Sequence, residues 1–162
     1  MSNLTEFIVN ANSKLEDRVA RLIAWYGDGS DGASPTAEQW RKVAGRPSGS
    51  PVTLINFFKL RDQGLYQDEA IAPAAPESGR AAFDRYAAVS IPTMEKIGGR
   101  FLLVAPFEAG FVGPEEDWDL VAIGTFADKE VLLSLWEDAD YHAAYPHRTA
   151  ACARQKVVIC NG

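Results

Sequence analysis

Chemistry in this sequence depends on a few polar side chains placed among apolar ones. Asn56 stands in the middle of an apolar segment, and it shares one face of a predicted strand with Leu54 and Phe58. A buried amide that finds no hydrogen bond costs on the order of 1–3 kcal/mol. Asn56 is therefore predicted either to orient a substrate carbonyl or hydroxyl, or to bond a neighbouring backbone or side-chain group.

The histidines are the second candidate group. The chain has two, His142 and His147, and histidine is the usual proton shuttle near neutral pH. Five residues apart on a helix, they point about 140° away from each other. This excludes the metal pair of a zinc protease, provided that Pro146 leaves the helix regular. Each histidine is a candidate general base or haem ligand, or else a surface or capping residue. We expect neither a cofactor nor a metal site, and His142 with Tyr141 as the catalytic groups.

Arginine and aromatic residues complete the predicted site. Arg148 is suited to clamp a carboxylate through two hydrogen bonds, or to pair with Asp138 or Asp140. Arg100 is alternatively a charge at the sheet rim, and Trp118 is alternatively a core residue. The predicted substrate-binding residues are Asn56, Phe58, Tyr86, Arg100, Trp118 and Arg148. The acidic run over 115–117 is expected to be a solvated turn.

Charge and composition narrow the range of partners. The chain of 162 residues has a formal net charge of -6 and no cluster of Lys and Arg. Nucleic-acid-binding proteins carry basic patches, and anionic membranes attract basic segments. The first residues lack the pattern of a secretory signal, and no apolar run approaches the ~20 residues that span a bilayer. We therefore expect a cytoplasmic protein that binds neither nucleic acid nor membrane. Cys152 and Cys160 are expected to be reduced core residues.

The pattern of residues changes near residue 50. Before it, apolar residues at helical spacing and the pair Ser34-Pro35 predict two helices, which form an amino-terminal helical extension over 1–49. After it, strands are predicted over 52–60, 100–106, 119–126 and 156–160, and helices over 78–97, from 128, and over 141–154. Pro92 and Pro146 are expected to kink or split their helices. The order β-α-β-β-α-β over 50–162 is that of a ferredoxin-like α+β fold with an antiparallel sheet.

The predicted sheet is apolar on both faces. In its first strand, Leu54 and Phe58 lie on one face, and Ile55 and Phe57 lie on the other. A sheet with one face in water alternates apolar with polar residues, and two helices cover only one face. The other face is predicted to pack on the identical sheet of a partner subunit, forming a homodimer. The alternative is that the chain's own amino-terminal helices cover it.

Several segments carry a resemblance to a known family. Tyr86, Gly98-Gly99-Arg100-Phe101, Ile123-Gly124-Thr125-Phe126-Ala127-Asp128, and Trp136, Tyr141 and Arg148 occur in that order. They resemble a small bacterial family of unknown function in the dimeric α/β-barrel superfamily. The resemblance covers 51–162, without the long loop over 61–77 and without 1–49.

The resemblance implies a ferredoxin-like subunit that pairs sheet to sheet. Relatives in the wider superfamily include cofactor-free monooxygenases, muconolactone isomerases, haem-degrading enzymes and ligand-sensing domains, so fold alone does not choose a chemistry. We expect a small apolar or aromatic organic molecule in a pocket between sheet and helices, with cofactor-independent oxygenation or isomerisation as the first candidate reaction. A non-catalytic sensor or carrier and a structural dimerisation module are the alternatives.

Overall fold

A computed structural model describes residues 2–162 of the chain. The chain has two compact units, one ending at Pro47 and the other spanning Ser48–Gly162. The first unit contains helices α1 (Ser2–Tyr26) and α2 (Ala37–Ala44).

Helix α2 begins two residues later than the sequence pattern predicts. Thr36, not Ser34, is its N-cap, because Thr36 accepts from the backbone of Gln39 while the Gln39 side chain accepts from the backbone of Thr36. The predicted end at Gly45 is confirmed. Within this unit, Arg41 forms two hydrogen bonds to Glu16, at 2.8 and 2.9 Å.

The second unit has the ferredoxin-like order of elements. Its elements are β1 (Val52–Leu60), α3 (Gly79–Lys96), β2 (Arg100–Pro106), β3 (Leu120–Phe126), α4 (Lys129–Trp136), α5 (Ala139–Ala151) and β4 (Cys152–Asn161). The four strands form one sheet in the order β2-β3-β1-β4, and each neighbouring pair is antiparallel. The predicted fold class is confirmed, with α4 and α5 together in the place of the second helix. Ser78 and Asp128 are the predicted N-caps of α3 and α4.

The predicted splits of two helices at proline were wrong. Helix α3 runs through Pro92, and α5 runs through Pro146, without a break. Both prolines are exposed, so the lost backbone hydrogen bond of each faces solvent while buried residues on both sides of it hold the helix in place. Helix α5 also ends earlier than predicted, and β4 begins at Cys152, four residues before the predicted start.

The two faces of the sheet differ in their cover. The inner face, which contacts α3 and α5, includes Phe58 in a buried cluster with Leu120 and Ala122. The outer face is the opposite one, and by strand pairing it includes Ile55, Ile123, Leu103 and Val158. Leu103 is 47% exposed and Val158 is 39% exposed. Both faces are thus apolar, and the outer face is only partly covered.

Two further observations concern the described residues. None of their helices combines the length and the apolar character that a membrane span requires. Within residues 2–162, no three His, Cys, Asp or Glu side chains are grouped so that they could hold a metal ion. Cys152 and Cys160 are free thiols.

Candidate functional site

Arg148 lies at the centre of a cluster between α3, α5 and the inner face of the sheet. Arg148 is only 4% exposed. Nε donates to Oε1 of Gln155 on β4 at 2.8 Å, and Nη1 donates to Oη of Tyr86 on α3 at 3.2 Å. The guanidinium also lies 4.9 Å from the ring centre of Phe58 and 5.3 Å from that of Tyr145. Three kinds of neutral group therefore surround one buried cation.

The charge of Arg148 has no carboxylate partner within ion-pair distance in the part of the chain that the structure describes. The predicted alternative, a pair with Asp138 or Asp140, was wrong, because Asp138 instead caps α5 by accepting from the backbone of Tyr141. Taking an ion out of water costs several kcal/mol. Contacts with aromatic faces, worth up to about 2 kcal/mol when desolvated, offset only part of this cost. Because part of this cost is not offset, an anion bound beside Arg148 would be favoured electrostatically.

The protonation of Arg148 follows from its surroundings. Burial by itself acts to lower the pKa of Arg148, but the hydroxyl groups of Tyr145, Tyr86 and Tyr141 act in the other direction. Their combined effect holds the pKa of Arg148 well above its ordinary value. The guanidinium is therefore a cation throughout the physiological range of pH.

Tyr86 and Tyr141 extend the cluster from α3 to α5. Their hydroxyl oxygens are 2.9 Å apart, and Tyr86 also accepts from Arg148. Burial, followed by the proximity of Tyr86, raises the pKa of Tyr141 well above its ordinary value, although Arg148 acts to lower it. Tyr141 is therefore neutral near pH 7, and it is suited to donate a hydrogen bond rather than to accept a proton.

Asn56 lies on the same inner face. Its Nδ2 donates to the backbone oxygen of Ala122 at 3.0 Å, so the amide satisfies one of the two predicted alternatives, a bond to the neighbouring strand. Oδ1 has no hydrogen-bond partner among the described residues. Val157, which pairs with Asn56 on β4, is 45% exposed. The helices thus leave this part of the inner face open.

Two of the predicted substrate-binding residues lie on the outer face instead. The ring centres of Trp118 and Phe57 are 5.8 Å apart. Cζ of Arg154 lies 4.2 Å from the ring centre of Trp118. Arg100 pairs with Thr125 and is exposed. Arg100 pairs with Thr125 on the outer face by strand alternation, and Trp118, which precedes β3, packs on Phe57 of the same face. Neither residue therefore joins the Arg148 cluster.

The acidic run over 115–117 is exposed in a loop, as expected for a solvated turn, and two of its side chains form ion pairs. Glu116 forms an ion pair with Lys156 at 3.1 Å, and Asp117 forms one with Lys59 at 2.7 Å. These pairs link the connection between β2 and β3 to strands β1 and β4. Exposed pairs of this kind contribute about 0–1 kcal/mol each.

A second polar cluster includes His147, and the sequence pattern did not reveal it. Tyr66, in the loop over 61–78, donates through Oη to Oε1 of Glu77 at 2.8 Å. The same Oη lies 2.8 Å from Nδ1 of His147. Arg85 on α3 donates to both oxygens of Glu77, at 3.2 and 3.0 Å. Tyr66 and His147 are 81 positions apart, so no local spacing indicates the contact.

The titration of this second cluster follows from its contacts. Burial raises the pKa of Tyr66 to about 12, and the hydrogen bond to Glu77 adds to the effect. Burial opposes the charge of Glu77, but hydrogen bonds from Tyr66 and Arg85 together lower its pKa. Burial, with repulsion from Arg85, lowers the pKa of His147, although Glu77 acts to raise it. Near pH 7, Tyr66 and His147 are neutral and Glu77 is an anion.

His142, the predicted catalytic histidine, is half-buried on α5, and its backbone N–H donates to the oxygen of Asp138 at 3.0 Å. Both histidines lie in α5. The ring of His147, not that of the predicted His142, lies at hydrogen-bonding distance from Tyr66.

The sheet order and the helices on its inner face define a ferredoxin-like α+β protein. The chain belongs to the family described as Domain of unknown function (DUF1330), whose model matches residues 77–162. The match includes Tyr86, Tyr141, His147 and Arg148, and it begins after Asn56 and Tyr66. A comparison with curated proteins found no match.

Solved structures share the fold. The chain is similar to two crystal structures of the RPA0582 protein. One, of the methylated protein, has 25% identity and a TM-score of 0.72, and the match covers 80% of this chain and 93% of that one. The other, a protein of unknown function from Rhodopseudomonas palustris, has 26% identity and a TM-score of 0.71, with 80% and 95% covered. A dimeric protein of unknown function with a ferredoxin-like fold from Bacteroides fragilis has 18% identity and a TM-score of 0.43, with 69% and 96% covered.

Proposed function

We propose that this protein binds a small aromatic organic anion on the inner face of its sheet, with Arg148 holding the anionic oxygens. The observation that carries the proposal is the buried guanidinium, which hydrogen bonds only to neutral groups, Gln155 and Tyr86. A bound carboxylate or enolate supplies the missing negative charge. Hydrogen bonds to charged groups contribute about 1.5–3 kcal/mol each.

The unused hydrogen-bonding groups around Arg148 match such an anion. Nη2 of Arg148 makes no hydrogen bond to the described residues. Tyr86 and Tyr141 carry two hydroxyl protons and share one hydrogen bond between them, which leaves one proton without an acceptor in the described chain. These two donors are suited to one carboxylate.

The aromatic part of the ligand is supported by the surrounding rings and the open strand. Phe58 and Tyr145 supply ring faces beside Arg148. Val157 and Ile159, on the inner face of β4, are 45% and 40% exposed. They form an apolar wall that is reached from solvent, and Asn56 beside them offers Oδ1 as an acceptor.

Catalysis by this site belongs to the same proposal. Neutral hydroxyl donors and a fixed cation stabilise an oxygen that gains negative charge, as in enolisation or cofactor-independent oxygenation of an aromatic substrate. A sensor or carrier has the same binding site and leaves its ligand unchanged. Measurement of turnover with a bound ligand separates the two.

We also propose that the chain forms a homodimer in the cytoplasm, with two outer faces packed together. Helices α3 and α5 pack on the inner face, while Ile55, Val121 and Ile123 of the outer face are half-buried in the single chain. A second copy covers such a surface symmetrically. Both cysteines are free, in agreement with a reducing compartment.

The ligand proposal is tested with phenylpyruvate, which has an aromatic ring and a carboxylate. Isothermal titration calorimetry compares it with phenylacetone, the neutral ketone that lacks the carboxylate. The protein should bind phenylpyruvate about 10- to 100-fold more tightly, as expected for one hydrogen bond to a charged group. Arg148→Met should remove this preference, and Arg148→Lys should keep only part of it because lysine lacks the planar fork.

Arg154→Met is the matched control, since Arg154 lies on the outer face over Trp118. It should bind phenylpyruvate as tightly as the wild type. Equal affinities for the two ligands in the wild type, or an Arg148→Met variant that retains the preference while folded by circular dichroism, contradict the proposal.

A further inference from the structure

We infer that His147 is a general base beside the proposed ligand site, and that Tyr66 and Glu77 are the residues that position it. This inference rests on the proposed function, which it deepens by naming the proton acceptor. Histidine is the common general base near neutral pH, and His147 lies in a cluster of ionisable side chains.

The hydrogen bonds fix which nitrogen of His147 carries the proton. Glu77 is an anion and only accepts, so the single hydroxyl proton of Tyr66 must lie toward Glu77. Tyr66 Oη therefore has only lone pairs to offer to Nδ1 of His147, 2.8 Å away. Nδ1 must donate, and the proton of neutral His147 is on Nδ1. Nε2 is then the ring nitrogen with a lone pair.

The charges around His147 fit a base that begins neutral and gains a proton. The groups that face it are Tyr66 and Glu77 of the loop and Arg85 of α3. Burial lowers the pKa of His147, so Nε2 is unprotonated near pH 7. When Nε2 accepts a proton, the negative charge of Glu77, reached through the Tyr66 hydroxyl, favours the imidazolium, while the charge of Arg85 opposes it. This is the arrangement of a base oriented by a third group.

His147 is linked to the residues around the proposed ligand site through Tyr66. It directly precedes Arg148 on α5, and the side chain of Tyr66 packs against the buried cluster that contains Phe58. Phe58 in turn lies under Arg148. Tyr66, which positions His147, and Arg148 thus contact the same buried cluster.

The reaction that these groups support is a proton transfer within a bound organic acid. With phenylpyruvate, the C3–H bond breaks, the proton passes to Nε2 of His147, and the electron pair moves to the keto oxygen as an enolate. Arg148 and the tyrosine hydroxyls hold the negative oxygens. Return of a proton from His147 completes the cycle, so no oxidant or other co-reactant is required.

The protonation of His147 is tested by nitrogen-15 NMR of the full-length protein near pH 7. The chain has two histidines, so a His142→Gln sample assigns the remaining imidazole. We expect a protonated Nδ1 and an unprotonated Nε2 for His147, and Tyr66→Phe should shift the proton toward Nε2. A protonated Nε2 in the neutral wild-type imidazole overturns the inference.

The role as a base is tested by exchange of the C3 protons of phenylpyruvate in D₂O, followed by NMR. His147→Gln should slow the protein-catalysed exchange about 100-fold or more, as for removal of a general base, with an unchanged Kd. Tyr66→Phe should also slow the exchange without changing the Kd, because the substitution shifts the proton of His147 toward Nε2. A slowed exchange in His142→Gln but not in His147→Gln overturns the inference.

The two proposals fail in different ways. A wild-type protein that does not bind phenylpyruvate contradicts the ligand class and, with it, the base. Tight binding combined with equal exchange rates in wild type and His147→Gln leaves the ligand site intact and overturns only the role of His147.

Discussion

Nη1 of Arg148 donates to Oη of Tyr86 at 3.2 Å and thereby joins α5 to α3 over the inner face of the sheet. The Tyr86 hydroxyl lies 2.9 Å from that of Tyr141, so the three side chains form one buried hydrogen-bonded chain. Because buried donors and acceptors without partners are costly, this chain ties the packing of the two helices to the charge of Arg148.

Removal of the Tyr86 hydroxyl should destabilise the fold. Tyr86→Phe deprives both Arg148 and Tyr141 of a partner, and we expect the free energy of unfolding to fall by about 1–3 kcal/mol. Urea denaturation measures it, and Tyr141→Phe with the double variant completes a cycle. The coupling should be about 0.5–3 kcal/mol. The prediction is contradicted if the losses of unfolding free energy in the two single variants add up to the loss in the double variant.

Gly79 should not tolerate a side chain. A Cβ there would lie 2.9 Å from the backbone oxygen of Ala151 and 2.9 Å from the backbone nitrogen of Arg61. These are backbone atoms at the junction of β1 and β4, so Gly79→Ala should destabilise the fold by about 1–3 kcal/mol or more. Gly64→Ala is the control, because its nearest neighbour would be 3.4 Å away. Similar unfolding curves for the two variants refute this.

The stability of the fold should fall in mild acid because of His147. Its folded pKa lies below the ordinary value, since burial and Arg85 disfavour the charged ring. Below about pH 6.5 the unfolded chain binds a proton that the folded chain does not, so stability decreases as the pH falls. Glu77, whose folded pKa is also lowered, adds a further loss only at lower pH, below its unfolded pKa.

His147→Gln removes the first of these losses. Between about pH 7 and 5.5, its free energy of unfolding should decrease less than that of the wild type. Denaturation series at each pH provide the comparison, and parallel pH profiles for the two proteins are the opposite result.

A charge on the outer face should separate the proposed dimer. Ile123 lies on β3, opposite Ile55 of β1, and Ile123→Lys places an ammonium group in the interface. We expect a monomer by analytical ultracentrifugation, because an unpaired buried charge is strongly unfavourable. Ala143→Lys, at an exposed position of α5, should remain dimeric. A wild-type monomer, or a dimer that survives Ile123→Lys, rules out this interface.

The thiols should report the same interface independently. Burial raises the pKa of Cys152 to about 11, so a thiol reagent should modify Cys152 only after unfolding. Cys160 pairs with Thr53 on the outer face and is half-buried. Its reaction rate should fall as the protein concentration rises through the dimer Kd, with Cys152 as the internal reference. A concentration-independent rate for Cys160 is inconsistent with the dimer.

Much of the fold could be predicted from local pattern. The bounds of β1 and β2 and the caps Ser78 and Asp128 agree with the structure, since strand alternation and N-capping depend on neighbouring residues. The prolines misled the prediction of helix continuity, because burial on both sides of Pro92 outweighs one lost hydrogen bond.

The candidate site was less accessible to such reasoning. The types of Tyr86, Tyr141 and Arg148 suggested polar groups for a ligand, and the structure brings these three together. Trp118 and Arg100 were assigned to the same site but lie on the other face of the sheet. Strand register decides the face for Arg100, and only the folded sheet fixes that register. For Trp118 the path of the connection between β2 and β3 decides it.

The sequence by itself determined the order of strands and helices and the apolar character of both sheet faces, because these depend on residue type and short-range spacing. The tertiary structure decided which polar groups meet: Arg148 with Tyr86, and His147 with Tyr66 and Glu77. Residues far apart in the chain come within hydrogen-bonding distance only when helices pack on the sheet. The same packing buries them, and burial is what shifts their pKa values.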